Sequence, residues 1–236
     1  FFDYDFRNTR SGTHWMHSHV GLQEQQLLSA PLIVRETAEP MFDEQEHVVM
    51  LHDFTFRDPQ EILQELQVGS GGHAMHNIPG MAMPDMLNDI TFDAYLANDR
   101  TLGDPEVLRV DKGTTIRLRI INAAAASNMW IDLGELEGQL IAVDGNAVFP
   151  FTARIFPLAM AQRADIRLKL PGGAGAWPIL FRPEGLASRT GIILATQSAE
   201  IVKLMEVGEV APPLDLAQEM KLRSVTDLPH EPVTRT

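Results

Sequence analysis

The chain has 236 residues, of which 44% are hydrophobic and 22% are charged, so it can form one large domain or two small domains with a packed core. Its formal net charge of −13 argues against nucleic acids and anionic membranes as partners, because basic surfaces bind both. The absence of cysteine excludes disulfides, zinc–thiolate sites and a thiol nucleophile within the chain. Since no run of about 18 apolar residues occurs, we also expect no membrane insertion.

The first predicted elements are strands, and one of them carries closely spaced histidines. Residues 1–6 alternate like the middle of a strand and carry no initiator methionine, so we expect the chain to begin inside a domain. Further on, Trp15, His17 and His19 should share one strand face and His14 the other, because residues two apart point the same way. The Cα atoms of His17 and His19 should lie roughly 6.5–7 Å apart, which suits two neighbouring metal ions or one ion with additional ligands. Imidazole binds copper, zinc, iron and nickel, and a polar strand with scattered histidines is the alternative interpretation.

A second strand is predicted at Val48–Leu51, which is a continuous apolar run of strand length. The pair His52 and Asp53 follows it directly. We interpret this pair as structural, because Phe54 and Phe56 just after it have the character of packing residues.

A helix is predicted after this strand. Asp58 can cap it, Pro59 suits the first helical position, and Glu61 completes a capping box. A second, weaker helical stretch is predicted near Asp215–Leu222. The apolar face of the first helix is expected to consist of Ile62, Leu63 and Leu66.

Residues 69–86 are rich in glycine, methionine, histidine and proline, and they are predicted to form a loop. Thioethers are soft ligands that prefer Cu(I), so this segment is a candidate cuprous site. The alternative is that its methionines only cover the domain surface, since methionine is a flexible gap-filler. The candidate secondary Cu(I) ligands are His73, Met75, His76, Met81, Met83 and Met86.

The second half of the chain is predicted to be rich in strands. Thr115–Ile120 and Asp165–Leu170 alternate polar and apolar residues with period two, which is typical of half-buried strands. Many short strands separated by turns favour an all-β sandwich or barrel. The clearest turn signals are at residues 111–113, 144–146 and 171–173.

The histidine segment and the chain downstream resemble one known family. Ser11–His19, followed by Gly21–Gln25 and Ala30–Val34, closely resembles the second copper-ligand motif of multicopper oxidases, a family that includes laccases, bacterial copper oxidases and bilirubin oxidases. The similarity spans nearly the whole chain, from late in the family's first domain through its second. The downstream segments that carry it are Tyr95–Arg100, with Asp99 in place of the usual glycine, Val110–Ala123, Val143–Gly145 and Ala161–Asp165.

The resemblance implies an all-β fold of cupredoxin-like Greek-key β-sandwiches, with one complete domain and the C-terminal strands of a preceding one. Residues 1–38 would be the end of cupredoxin domain 1 with its copper-ligand motif, and residues 39–198 would be cupredoxin domain 2. Residues 199–236 would be a linker toward a missing third domain.

The resemblance also implies site roles and an activity. By position, His17 and His19 would bind the type 3 copper pair of a trinuclear cluster, with Trp15 packed beside them, whereas His14 would be an exposed strand histidine. The parent protein would be periplasmic or secreted and would oxidise a small-molecule or metal-ion electron donor, such as a phenol or cuprous ion. It would pass the electrons to dioxygen, forming water.

Several parts of such an enzyme are missing from the chain. The family's first ligand motif, its two third-domain histidine motifs and the cysteine of the type 1 copper site are absent, so type 1 copper is expected only in the missing part. We therefore expect a truncation at both ends and no turnover by this fragment alone. The alternatives are a non-catalytic cupredoxin-fold structural protein and a copper-binding or storage protein that uses the Met/His segment.

Overall fold

The computed structural model describes residue 3 and residues 5–35, 43–68 and 87–227. In these ranges the secondary structure is dominated by β-strands, which confirms the all-β prediction. The strands of the first half are β1 (Gly12–His17), β2 (Ser29–Val34), β3 (Glu44–Phe54), β4 (Ala94–Ala97), β5 (Glu106–Arg109) and β6 (Thr115–Asn122). Those of the second half are β7 (Met129–Asp132), β8 (Gly138–Val143), β9 (Asn146–Ala153), β10 (Ile155–Leu158), β11 (Arg163–Lys169), β12 (Ala176–Pro183) and β13 (Thr190–Ala195).

Strands β3 to β13 form a sandwich of two sheets. The six-stranded sheet has the order β4-β3-β6-β11-β8-β9, and the five-stranded sheet has the order β10-β7-β12-β13-β5. The pairs β3–β6 and β13–β5 are parallel, and the other pairs are antiparallel. A single apolar core fills the space between the sheets, with fully buried side chains from both, among them Leu51, Leu118, Ile166, Phe181 and Ile192.

Strands β1 and β2 form a separate two-stranded antiparallel sheet. This β1–β2 hairpin packs on the outer face of the six-stranded sheet, where β1 contacts β6 and β11. The strand predicted at 115–120 is half-buried at its start, where Thr115 and Arg117 stay partly exposed, and is buried on both faces toward its end, where the hairpin covers it. Arg119 is 1% exposed and Ile121 is fully buried, although both point away from the central core.

The predicted helix is present as α1, Pro59–Gln67. The Asp58 carboxylate caps it by accepting a hydrogen bond of 2.9 Å from the N–H of Gln60, one residue earlier than the capping box predicted. Of the predicted apolar face, only Ile62 is buried, since α1 lies at the surface. In the second predicted helical stretch, a short 3₁₀ helix occupies Glu219–Lys221.

The segment after β13 lies along the sandwich instead of extending away from it. The Trp130 indole N–H donates to the Pro212 carbonyl at 2.8 Å, and Ala211, which is 1% exposed, pairs with Glu184 in a short bridge. Ser224 forms a second isolated bridge, antiparallel, with Val148 on β9. Among the described residues, no helix is long and apolar enough to cross a membrane.

Candidate metal centre

The histidine motif lies at the end of the β1–β2 hairpin. β1 and β2 pair in a regular register that runs from Gly12 opposite Val34 to His17 opposite Ser29. Beyond His17 the chain enters a turn, which closes where the N–H of Ser18 donates to the carbonyl of Leu28 at 3.1 Å. His17 therefore ends a regular strand, and His19 is the second residue of the turn.

The rings of three motif residues lie side by side. Trp15 and His17 stack with a centroid distance of 4.3 Å and an interplanar angle of 18°. His17 and His19 follow with a centroid distance of 4.5 Å and an angle of 32°. The predicted shared face is confirmed, and the strand geometry continues into the turn far enough to include His19. Because His17 is half-buried and His19 is exposed, the pair is open to solvent on one side.

The pair by itself does not make a complete metal site. In the part of the chain that the structure describes, no group of three or more His, Asp or Glu side chains is arranged to hold a metal ion. Two imidazoles fit copper as part of a ligand set, since imidazole is a good ligand for it. The residues present are therefore compatible with bound copper and require further ligands from elsewhere.

His14 lies on the opposite face of β1, as predicted, but it is not an exposed strand histidine. It is half-buried, and its Nε2 lies 3.2 Å from the carbonyl oxygen of Ser11. A Cβ atom placed on Gly145 would lie only 2.8 Å from the His14 ring. The expectation of exposure was wrong because the turn between β8 and β9 packs against this side of the hairpin.

Two glycines let the hairpin and the sandwich approach through their backbones. A Cβ atom on Gly12 would lie 2.6 Å from both the Cα and the carbonyl oxygen of Gly145. The φ angles are +122° at Gly12 and +79° at Gly145, conformations that L side chains rarely adopt. The glycine of the motif is therefore required for docking the hairpin and not for binding metal.

The threonine of the motif belongs to a buried polar contact, which we call the Thr13 latch: Thr13, Arg119 and Asp165. The Thr13 hydroxyl donates to Asp165 Oδ1 at 2.5 Å and accepts from Arg119 Nη1 at 2.9 Å. Arg119 Nη1 also donates to Asp165 Oδ2 at 2.9 Å. All three residues are at most 1% exposed. The latch joins β1 to β6 and β11 and fixes the hairpin against the sheet.

Further charges surround the latch on the outer face of the sheet. Arg117 Nη2 lies 2.7 Å from Asp165 Oδ2, and Arg119 Nη2 lies 2.7 Å from Glu46 Oε2. Burial raises the pKa of Glu46, but the hydrogen bond from Arg119 and the guanidinium charges of Arg119, Arg35 and Arg117 outweigh it and hold this pKa below its usual range. Sequence reasoning missed this network. Its one sequence signal is the alternation of arginines with apolar residues along β6, which is also typical of a solvated face.

An apolar contact completes the docking. Trp15 packs against a small buried cluster on the outer face of the sheet. That cluster consists of Met50, Ile121 and Ala123, with Val48 beside it. Trp15 therefore contacts His17 on one side and the sandwich on the other, which confirms that it packs beside the histidine pair.

The prediction that His52 and Asp53 are structural is confirmed. The Asp53 carboxylate accepts from the N–H groups of Ala125 and Ala126 at 2.8 and 2.9 Å, and from the Ser127 hydroxyl at 2.8 Å. His52 Nε2 shares a 2.8 Å hydrogen bond with the hydroxyl of Ser29. Burial lowers the pKa of His52, against the opposing charges of Asp99 and Asp53, and so favours the neutral ring.

Phe56 does not pack in the interior, since it is 86% exposed and contacts Phe54 edge-on at a centroid distance of 4.9 Å. The expectation was wrong because Phe56 lies beyond the end of β3, where the chain leaves the sheet. The predicted cuprous ligands lie outside the described residues; they are His73, Met75, His76, Met81, Met83 and Met86.

The molecule is a β-sandwich with a docked hairpin that carries a pair of imidazole rings. The sequence model of the family described as Multicopper oxidase matches residues 45–200. The multicopper oxidase MmcO of Mycobacterium tuberculosis is 30% identical over 207 residues, covering 83% of this chain and 40% of that protein. Copper resistance protein A of Escherichia coli is 30% identical over 199 residues, covering 72% of this chain and 33% of that protein.

Solved structures share the fold. The crystal structure of Fet3p, a multicopper oxidase that functions in iron import, superposes with a TM-score of 0.72 at 16% identity, covering 95% of this chain and 41% of that one. The laccase of Botrytis aclada gives a TM-score of 0.65 at 24% identity, covering 88% of this chain and 39% of that one. The cupredoxin-like fold is thus confirmed. The chain belongs to the multicopper oxidase family, whose members are copper-containing oxidoreductases, and it spans less than half the length of these relatives.

Proposed function

We propose that His17 and His19 are two ligands of the type 3 copper pair in a trinuclear copper site. The observation that carries the proposal is the adjacent pair of imidazole rings, whose centroids lie 4.5 Å apart at the solvent-accessible end of the docked hairpin. Family membership supports copper as the metal, and the resemblance of the motif to the family's second copper-ligand motif supports the ligand role. The remaining ligands would come from sequence outside this chain.

The proposed activity of the complete protein is one-electron oxidation of a substrate coupled to the reduction of dioxygen to water. Bound copper would supply the electron transfer and the chemistry with dioxygen. The chain's own residues would hold the metal, because the two imidazoles bind and orient it. Trp15 would cover one face of the His17 ring and exclude water from it. The hairpin docking holds both rings in place relative to the sandwich.

Two electron donors are proposed, cuprous ion and a phenol-like molecule. Relatives named copper resistance protein A, from Escherichia coli and Pseudomonas syringae, favour the cuprous ion and a periplasmic or secreted location. A relative named Laccase-2, from Botryotinia fuckeliana, supports the phenol-like donor as the alternative. The Met/His segment at residues 69–86 would serve the cuprous alternative, because thioethers prefer Cu(I).

We also propose the domain division 1–38, 39–198 and 199–236. It is supported by the separation of the β1–β2 hairpin, which ends at Val34, from the sandwich, which begins with β3 at Glu44. The family match over 45–200 covers the same sandwich. Residues beyond 198 would then lead along the sandwich surface toward a further domain.

The test is alanine substitution of each histidine in the complete protein, His17→Ala and His19→Ala, with His14→Ala as the matched control on the opposite face of β1. We expect the first two variants to lose bound copper and oxygen consumption with either Cu(I) or a phenol as donor. The control should keep its copper, because His14 contacts Ser11 and Gly145 and not the pair. Equal copper content in all three variants would contradict the ligand assignment.

The complete protein should also be blue when loaded with copper, since the family's type 1 centre absorbs visible light. A copper-loaded but colourless protein would contradict the oxidase proposal and would favour copper storage. A protein that binds no copper would favour the non-catalytic structural alternative.

A further inference from the structure

A carboxylate lies against the first histidine of the pair. Glu24 Oε2 is 3.1 Å from His17 Nδ1, and each of the two side chains is 24% exposed. The two atoms are close, but their contact does not have the geometry of a well-aligned hydrogen bond. His17 Nδ1 is itself closed off from water and has no other partner in the part of the chain that the structure describes. Glu24 is therefore the group available to this nitrogen.

The turn after β1 brings Glu24 to this position. Residues Glu24–Gln26 form a short 3₁₀ helix, so the chain folds back toward β1 directly after Gln23. The Ser18 hydroxyl donates to the side-chain oxygen of Gln23 at 2.7 Å, and the N–H of Leu28 donates to the backbone carbonyl of Gln23 at 3.0 Å. These bonds cross-link the turn from the residue next to His17 to the residue next to Glu24.

The His17 ring is held in a plane, but its two nitrogens are not distinguished by the stacking. Trp15 stacks on it at 4.3 Å and His19 flanks it at 4.5 Å, so the ring cannot tilt freely. A half-turn of the ring keeps the same plane and exchanges the sides of Nδ1 and Nε2. A partner on one nitrogen is needed to select one orientation and one tautomer.

We propose that Glu24 is a positioning residue that accepts the Nδ1–H of His17 and so presents Nε2 as the nitrogen for copper. Metal-binding histidines commonly donate their second ring N–H to a carboxylate, which fixes both tautomer and orientation. The inference rests on the proposed ligand role of His17 and adds the atom through which it acts. A surface ion pair without this role would contribute little to any measurable property.

The experiment uses the complete protein with Glu24→Leu, Glu24→Gln and, as a charge-matched control, Glu137→Gln. Glu137 is exposed in the loop between β7 and β8. The first measurement is copper affinity by competition with a chelator. The second is nitrogen NMR of histidine-labelled, copper-free protein, which reports the tautomer of each ring, with His17→Ala identifying the His17 signal.

We expect Glu24→Leu to weaken copper binding by about 10- to 100-fold and to give a mixture of His17 tautomers. Glu24→Gln keeps an acceptor oxygen at the same reach, so the single Nδ1–H tautomer and most of the affinity should remain. Glu137→Gln should match the wild type in both measurements. Wild-type affinity and a single tautomer in Glu24→Leu would overturn the proposal.

The two measurements separate this inference from the proposed function. If His17→Ala binds copper as tightly as the wild type, the ligand role of His17 fails, whatever Glu24 does. If His17→Ala loses copper but Glu24→Leu changes neither the affinity nor the tautomer, only the role of Glu24 fails. Thermal unfolding of each variant checks that it is folded at the temperature of the affinity and NMR measurements.

Discussion

Between the two sheets of the sandwich the contacts are apolar, whereas between the β1–β2 hairpin and the sandwich they are mostly polar and charged. The sandwich core contains fully buried aliphatic and aromatic side chains such as Leu118 and Phe181. The hairpin is held by the Thr13 latch, by the contact of Gly12 with Gly145, and by Trp15 on its small apolar cluster. Its own two strands enclose no core.

The difference has consequences for the site. Apolar cores tolerate many substitutions of similar volume, but a buried ion network fails when one partner is removed, because an uncompensated charge is left behind. Hydrogen bonds and ion pairs are also directional, so they set orientation better than apolar burial does. We infer that the placement of the hairpin against the sandwich depends on Arg119 and Asp165, the charged partners of Thr13. By contrast, the His17 ring itself is oriented by neighbours within the hairpin and its turn.

The largest expected effect is that of Asp165→Ala, which leaves Arg119 and Arg117 facing each other without their shared carboxylate. We expect a loss of about 3–5 kcal/mol in the free energy of unfolding, the typical cost of breaking a buried pair. Denaturant unfolding measures it. The control is Asp132→Ala, a half-buried carboxylate whose closest approach to Arg182 is 3.5 Å, for which we expect less than about 1 kcal/mol. Similar losses in both variants would show that the Thr13 latch contributes no more to the free energy of unfolding than a partly exposed ion pair does.

The next effect is that of Gly12→Ala, which places a methyl group 2.6 Å from the backbone of Gly145. We expect a cost of about 1–3 kcal/mol from overpacking, together with backbone strain at φ +122°. Hydrogen exchange should become faster in β1 and β2 but not in β3. Gly21→Ala is the control, since Gly21 also has a positive φ but nothing lies within 4 Å of its added methyl group. Equal changes in both variants would mean that strain, and not docking, explains the result.

An effect of the same order, but without the added backbone strain, is expected from Thr13→Val, which keeps the shape of the side chain and removes its hydroxyl. Asp165 loses a donor and Arg119 loses an acceptor, which should cost about 1–3 kcal/mol. Thr13→Ser retains the hydroxyl and should recover most of the loss. If the serine variant is as unstable as the valine variant, the methyl group and not the hydrogen bonds matters at this position.

The smallest effect is the pH dependence contributed by Glu46. Because the pKa of Glu46 is lowered in the folded state, its contribution to stability is present above the unfolded pKa and is lost as the pH falls through the folded pKa. Below the usual value of 4.5, the wild type should therefore lose stability more steeply than Glu46→Gln. Unfolding free energies measured at pH values from about 6 down to 3 test this. Parallel curves for the two proteins would contradict the lowered pKa.

Several features could be predicted from local sequence. The alternation at 115–120 and 165–170 predicts β6 and β11, because a period of two is a property of the strand itself. Asp58 and Pro59 predict the start of α1 for a similar reason, since capping involves only neighbouring residues. The shared face of Trp15, His17 and His19 follows from the same periodicity.

Other features required the tertiary structure, because they join residues far apart in the sequence. The latch bonds Thr13 to Asp165 across 152 positions, and no local pattern distinguishes a buried Arg119 from a solvated one. The half-buried environment of His14 and the exposure of Phe56 depend on which segments pack beside them. The sequence alone determined the strand pattern, the histidine pair and the family. Only the tertiary structure decided that the motif's glycine and threonine dock the hairpin, since docking depends on distances between segments that the sequence does not encode locally.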